Sequence, residues 1–160
     1  MNDAVEMFKL ALHNEVKASV FYQKASEMTQ DDNSRMVFLN FVEMEDDHAR
    51  ALILQTKEMA WDPAFDPAAY LAGVEEETKN LLSPDEQWAI EHGNMSEVLN
   101  LAIQSESRAK EVYLGLAASA SNAEIKRYCL RLADEEESHK RSLEQLLRSL
   151  EMEPEDRPGL

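Results

Sequence analysis

Two Glu-x-x-His segments, Glu45 to His48 and Glu136 to His139, recur 91 residues apart, and each begins 30 residues after a lone glutamate, Glu15 and Glu106. Side chains three apart on a helix share a face, so the Glu and the His of each segment point at one spot. The midpoint of Glu15 and Glu45 is Gln30, and that of Glu106 and Glu136 is Ser121. If each half is an antiparallel helical hairpin turning at its midpoint, the paired residues face each other about 22 Å from the tip, at 1.5 Å per residue. Each hairpin then offers two carboxylates and one imidazole at one level. The spacing predicts a two-metal site inside a four-helix bundle.

The same offset of 91, without a gap, aligns Glu6 with Glu97, Leu10 with Leu101, Ala11 with Ala102, Ala18 with Ala109, Tyr22 with Tyr113, Leu39 with Leu130, Arg50 with Arg141 and Leu52 with Leu143. This is the pattern of a duplication. Its period is too long and its copies too few for a solenoid of short stacked units.

A chain of 160 residues is one domain's worth, long enough to bury roughly 70% of the surface its unfolded form exposes. Four glycines, 7% aromatics and abundant Ala, Leu, Met, Glu and Lys favour helices over strands, so the expected class is all-α. All five prolines, at 63, 67, 84, 154 and 158, lie outside four long stretches, as helix interiors require. These predict helices over about 3–29, 33–60, 95–119 and 122–150, within a single domain spanning 1–152 and followed by a polar tail, 153–160. The segment of about 61–94, with Trp61 and Trp88, is too long for a turn and reads as an overhand crossover that lets the second and third long helices run parallel. Within it, Asp66-Pro67 and Ser83-Pro84-x-Glu86 predict capped short helices near 67–80 and 84–92. Ser121-x-x-Glu124 reads as a capping box for the last helix, with Asp32 or Asn33 capping the second and Asn94 the third.

On the last helix Cys129, Leu132, Glu136, His139, Leu143 and Leu146 follow a three-four rhythm, as do Phe38, Phe41, Glu45, His48 and Leu52 on the second. The polar residues thus sit on apolar faces, where an unpaired carboxylate is costly. Four converging carboxylates repel one another, and two divalent cations cancel their charge. One imidazole per metal among carboxylate oxygens suits iron first and manganese second. A Glu from each of two helices and a Glu-x-x-His from each of the others is also the constellation of ferritin-like carboxylate proteins. It makes Glu15, Glu45, His48, Glu106, Glu136 and His139 the candidate ligands, with the bridging pattern left open. Tyr22 and Tyr113, each seven residues after a lone glutamate, are placed to hydrogen-bond a ligand carboxylate, to act in electron transfer, or simply to pack. His13 and His92 read as surface or capping histidines, Cys129 as a small buried hydrophobe, and Asp134 to Glu137 as mostly a solvated face.

The formal net charge is −16, which two divalent cations would reduce to about −12. So acidic a surface argues against nucleic acid or an anionic membrane as partner. No basic and apolar leader opens the chain and no stretch approaches a membrane span, so a cytoplasmic protein is expected. The single cysteine permits neither an internal disulfide nor a thiolate cage.

The segments LALHNEVKASVFY with Glu15, FVEMEDDHARAL with Glu45 and His48, LAIQSESRAKEVY with Glu106, and LADEEESHKRSL with Glu136 and His139 resemble the rubrerythrin and bacterioferritin branch of the ferritin-like superfamily over nearly the whole chain. The resemblance implies two iron ions per chain, with manganese or a mixed pair as the alternative, reacting with hydrogen peroxide or oxygen in the diferrous state. It also implies an external electron donor protein and a homodimer. The chain departs from typical rubrerythrins in having Ala109 where a further carboxylate stands and in lacking a rubredoxin domain. It departs from bacterioferritins in having Asp46 at the haem-binding methionine position, so no haem is expected, and a fifth helix of the cage-forming kind is not foreseen. The leading expectation is a non-haem di-iron oxidoreductase. A ferroxidase that passes iron on, and a non-enzymatic bundle merely stabilised by its metals, are the alternatives.

Overall fold

The computed structural model describes residues 3–59, 64–77, 82–92 and 95–152. Among them are four long helices, α1 (Asp3–Met28), α2 (Asp32–Met59), α5 (Met95–Ser119) and α6 (Ala123–Glu151), and two short ones, α3 (Pro67–Glu76) and α4 (Pro84–Glu91). No strand occurs among the described residues. The long helices end within one residue of the positions expected from the breaker pattern, whereas α3 stops at Glu76, short of 80. Trp61, the Gly93-Asn94 cap and the 153–160 tail lie outside the described residues.

The helices pair as two hairpins, α1 with α2 and α5 with α6, and α1 also packs along α5. Their directions follow from who meets whom. Tyr22 of α1 reaches Glu106 of α5 while Glu15 meets Tyr113, so these two helices run antiparallel. Glu45 meets His139 and His48 meets Glu136, which makes α2 and α6 antiparallel as well. Hence α2 and α5 are parallel, as an overhand crossover requires. Its two short helices are anchored on the bundle: α3 lies on α1, and α4 on α5 and α1. Buried Glu86 of α4 closes a capping box with Ser83 and also pairs with Lys17 of α1 at 3.3 Å.

Local hydrogen bonds explain the helix starts. Asp66 Oδ1 accepts from the backbone of Ala68 and Ala69, both at 3.1 Å, and Pro67 follows at the first helical position. Two caps differ from the sequence expectation. The α6 cap is Asn122, whose side chain accepts from the Glu124 and Ile125 amides, and not Ser121. The α2 cap is Asp31 rather than Asp32 or Asn33: its carboxylate accepts from the Ser34 amide at 2.8 Å, and its carbonyl takes the first helical bond from Arg35 at 2.9 Å. At both tips several capping residues are adjacent, and at the second the turn selects Asn122, whose backbone is extended.

Two apolar clusters fill the bundle, one around Phe8, Leu12, Leu116 and Leu132 and the other around Phe21, Phe38, Leu99 and Leu143. Tyr113 belongs to the first and Tyr22 to the second. Between the two tyrosines lies a polar layer, and the bundle is organised around it.

The cap assignment is testable. Asn122→Ala is expected to cost about 1 kcal/mol in urea unfolding, whereas Ser121→Ala stays within about 0.5 kcal/mol. Equal losses would return the cap to Ser121.

Candidate metal centre

Helical periodicity carries one glutamate inward from α1 and one from α5, and a Glu and a His inward from each of α2 and α6. All six predicted ligand residues are buried, from 1% exposed at Glu136 to 7% at His48 and His139. They form two overlapping groups, Glu15, Glu45, His48 and Glu136 on one side and Glu45, Glu106, Glu136 and His139 on the other. Within each group the ligand atoms lie within 4.8 Å of one another. Glu45 and Glu136 belong to both.

The two halves are close copies. His48 Nδ1 lies 3.2 Å from Glu136 Oε1, 3.3 Å from Glu15 Oε2 and 3.5 Å from Glu45 Oε2. His139 Nδ1 lies 3.2 Å from Glu45 Oε1, 3.5 Å from Glu136 Oε2 and 3.6 Å from Glu106 Oε2. The imidazoles stack nearly parallel, 10° apart in plane with centroids at 5.5 Å. Yet both Nδ1 atoms, Glu15 Oε2, Glu45 Oε1 and both Glu136 oxygens have no partner at hydrogen-bonding angles. Close approach without alignment means these lone pairs converge on common points instead of on each other. Metal–ligand bonds of about 2.1 Å put neighbouring ligand atoms about 3.0–3.4 Å apart, close to the spacings here. The donor set and its orphaned atoms therefore fit two divalent cations.

The tyrosines complete the polar layer in a way their spacing did not foretell. Each phenol donates across the bundle to the glutamate of the other hairpin, Tyr22 to Glu106 Oε1 and Tyr113 to Glu15 Oε1. One oxygen of each outer glutamate is thus held, and the other faces an imidazole. Burial, reinforced by the surrounding carboxylates, pushes both phenols well above their ordinary range, so they remain donors.

The other titrations are those of a crowded, dry cluster that retains protons. Burial, and then Glu15, raise Glu45, and burial with the shared contact to Glu136 lifts Glu106 to about 8. Burial alone would lower the histidines, but contacts with carboxylates outweigh it, raising His48 and taking His139 to about 12. Burial would raise Glu136, but its contacts with Glu106 and both histidines lower it.

Sequence reasoning missed one residue. Glu135 lies in the run read as mostly solvated, and its side chain is 44% exposed, but its Oε2 reaches back to His48 Nε2 at 2.7 Å. Its neighbour Glu137 instead pairs with Lys110 at 2.9 Å. His13 is half-buried on α1 rather than fully at the surface, and burial lowers its pKa. His92 closes α4 through a contact of its Nδ1 with the Trp88 carbonyl at 2.8 Å, and burial pushes the Cys129 thiol up to about 11.

The signs of these shifts give a pH dependence. Groups whose folded pKa is raised stabilise fully below their ordinary values, 4.5 for Glu45 and Glu106 and 6.5 for the histidines. That stability is lost as pH climbs through the folded values, about 8 for Glu106 and about 12 for His139. Glu136 opposes this only below 4.5. The metal-free protein is therefore expected to lose thermal stability as pH rises from about 5 to about 8, while protein saturated with divalent metal, which displaces those protons, does not. Parallel melting curves of the two forms check it; identical pH profiles would contradict it.

Comparison with protein families places residues 6–146 in one family, Rubrerythrin. Neither a curated protein nor a solved structure matches. The matched span contains all six candidate ligands, both tyrosines and nearly all of the four long helices. The chain belongs to the rubrerythrin family, ferritin-like proteins with a di-iron centre.

Proposed function

We propose that this protein is a di-iron oxidoreductase that binds two iron ions per chain and reacts, in the reduced state, with hydrogen peroxide or oxygen. One ion would be held by Glu15, Glu45, His48 and Glu136 and the other by Glu45, Glu106, Glu136 and His139, Glu45 and Glu136 belonging to both groups. The observation that carries this is the pair of overlapping buried Glu/His groups with orphaned ligand atoms. The chemistry such a pair supplies is two-electron reduction, of hydrogen peroxide to water or of oxygen to peroxide, with an external donor protein restoring the electrons. Manganese is the alternative metal, and the setting is a cytoplasmic homodimer.

The chain's own residues prepare that chemistry. Tyr22 and Tyr113 fix the outer glutamates, and the apolar clusters on either side exclude bulk water from the polar layer. Substrate approaches from the α2–α6 side, where an open depression of about 340 Å³ is lined by His48 and His139. A second reading, a ferroxidase that passes ferric ion onward, draws on the acids of this depression, Asp47 and Glu135, as a cation path. Sustained peroxide turnover with a reductant favours the first. Uptake of more than two irons per chain favours the second, and stable loading without redox reactivity would leave a bundle that its metals only brace.

An anaerobic Fe(II) titration of the metal-free protein is expected to saturate near two equivalents per chain and to lose that stoichiometry in Glu45→Ala, which removes a ligand common to both groups. Absence of stoichiometric binding would contradict the reading. Tyr22→Phe and Tyr113→Phe are each expected to keep two equivalents but weaken binding by about 10–100-fold. Unchanged affinity would make the tyrosines packing residues only.

A further inference from the structure

The depression beside the histidines lies across the pseudo-symmetry of the fold. Its six lining residues are three pairs at the offset of 91: His48 with His139, Met44 with Glu135, and Asp47 with Ser138. Only the histidine pair is chemically the same. The difference touches the metal centre directly at Glu135, which holds His48 Nε2 at 2.7 Å. Opposite, where a matching carboxylate would hold His139 Nε2, stands Met44, 43% exposed. All the carboxylate contacts of His139 run through its Nδ1. Asp47, the other acid of the depression, pairs with Arg50 at 2.6 Å.

The ligand sets of the two positions are otherwise matched, although the Phe41 ring also packs edge-on against His139 at 5.2 Å, where the repeat has Leu132 in its place. Each has one outer glutamate held by a tyrosine of the other hairpin, the same two shared glutamates and one inward-facing Nδ1. A carboxylate on the outer N–H of a ligating histidine fixes the tautomer that leaves the inner lone pair free, and it raises the basicity of that nitrogen. Losing such a partner typically weakens metal binding by about 10–100-fold. We infer that Glu135 makes the duplicated centre unequal. The position built on His48 takes up divalent metal first and holds it tightly, and the position built on His139 is the weaker, exchangeable one. This rests on the two-metal reading above and adds an order of filling to it. Glu135 acts through His48, as a positioning residue.

The test is anaerobic calorimetric titration of the full metal-free chain with Fe(II), comparing wild type with Glu135→Met, which copies the α2 residue onto α6, and Met44→Glu, which does the reverse. Wild type is expected to show two steps with dissociation constants about 10–100-fold apart. Glu135→Met should weaken only the first step and merge the two, and Met44→Glu should strengthen only the second, a gain that general damage to the fold cannot produce. His139→Ala should remove the weak step and leave the tight one. Two equal sites in wild type, or a separation that survives Glu135→Met, overturns the inference while leaving the two-metal reading intact. Binding of fewer than two Fe(II) in wild type overturns both.

Discussion

The structure depends on placing four carboxylates and two imidazoles in one dry layer between two apolar clusters. Such a layer is unfavourable by itself, because burial penalises every charge in it and the carboxylates repel. The side chains therefore either keep protons or share cations, and the raised folded pKa values of Glu45 and Glu106 are the proton-retaining solution. Much of the rest follows from keeping this layer level. Each long helix delivers its contribution at the same height, the tyrosines close the layer above and below, and the short helices α3 and α4 cover α1 and α5 from outside.

Duplication makes so dense a layer attainable, because one hairpin that presents two carboxylates and an imidazole needs only a second copy, turned around, to complete the set. The three carboxylate contacts of each Nδ1 agree between halves to within a few tenths of an ångström, at 3.2, 3.3 and 3.5 Å for His48 and 3.2, 3.6 and 3.5 Å for His139. Away from the centre the copies have diverged in chemistry while keeping position. Ser19 bonds Asp46 at 2.7 Å across the first hairpin, and their counterparts Lys110 and Glu137 form an ion pair at 2.9 Å across the second. Symmetry is retained among the six candidate ligands and relaxed around them, at Ser19–Asp46 against Lys110–Glu137 and at Met44 against Glu135.

The six candidate ligands were legible in the sequence because helical spacing and mirror placement about the hairpin tips are properties of the backbone, and the backbone here is regular. The long helices were legible for the same reason, since proline and glycine are absent from most of their length. What escaped were features decided by side-chain reach and by turns. Asn122 and Asp31 displaced neighbouring residues as caps because the choice among adjacent polar residues depends on which side chain the turn brings to the free amides. The tyrosine bonds cross between hairpins, a relation no spacing within one helix encodes. Glu135 occupies an outward helical position, so periodicity assigns it to solvent, and only its long side chain brings it onto His48. The one sequence trace of this was the break in the repeat, with Met44 at the matching position.

Family membership establishes what kind of centre this is, and the orphaned atoms establish that these residues fit it; the reaction follows from what occupies it. The most direct test is a crystal structure of protein loaded anaerobically with Fe(II), with anomalous scattering recorded at the iron edge. The account predicts two peaks per chain, about 3.5–4 Å apart, one beside His48 Nδ1 and one beside His139 Nδ1, with Glu45 and Glu136 touching both. A single peak, or iron found only on the acidic surface, would contradict it.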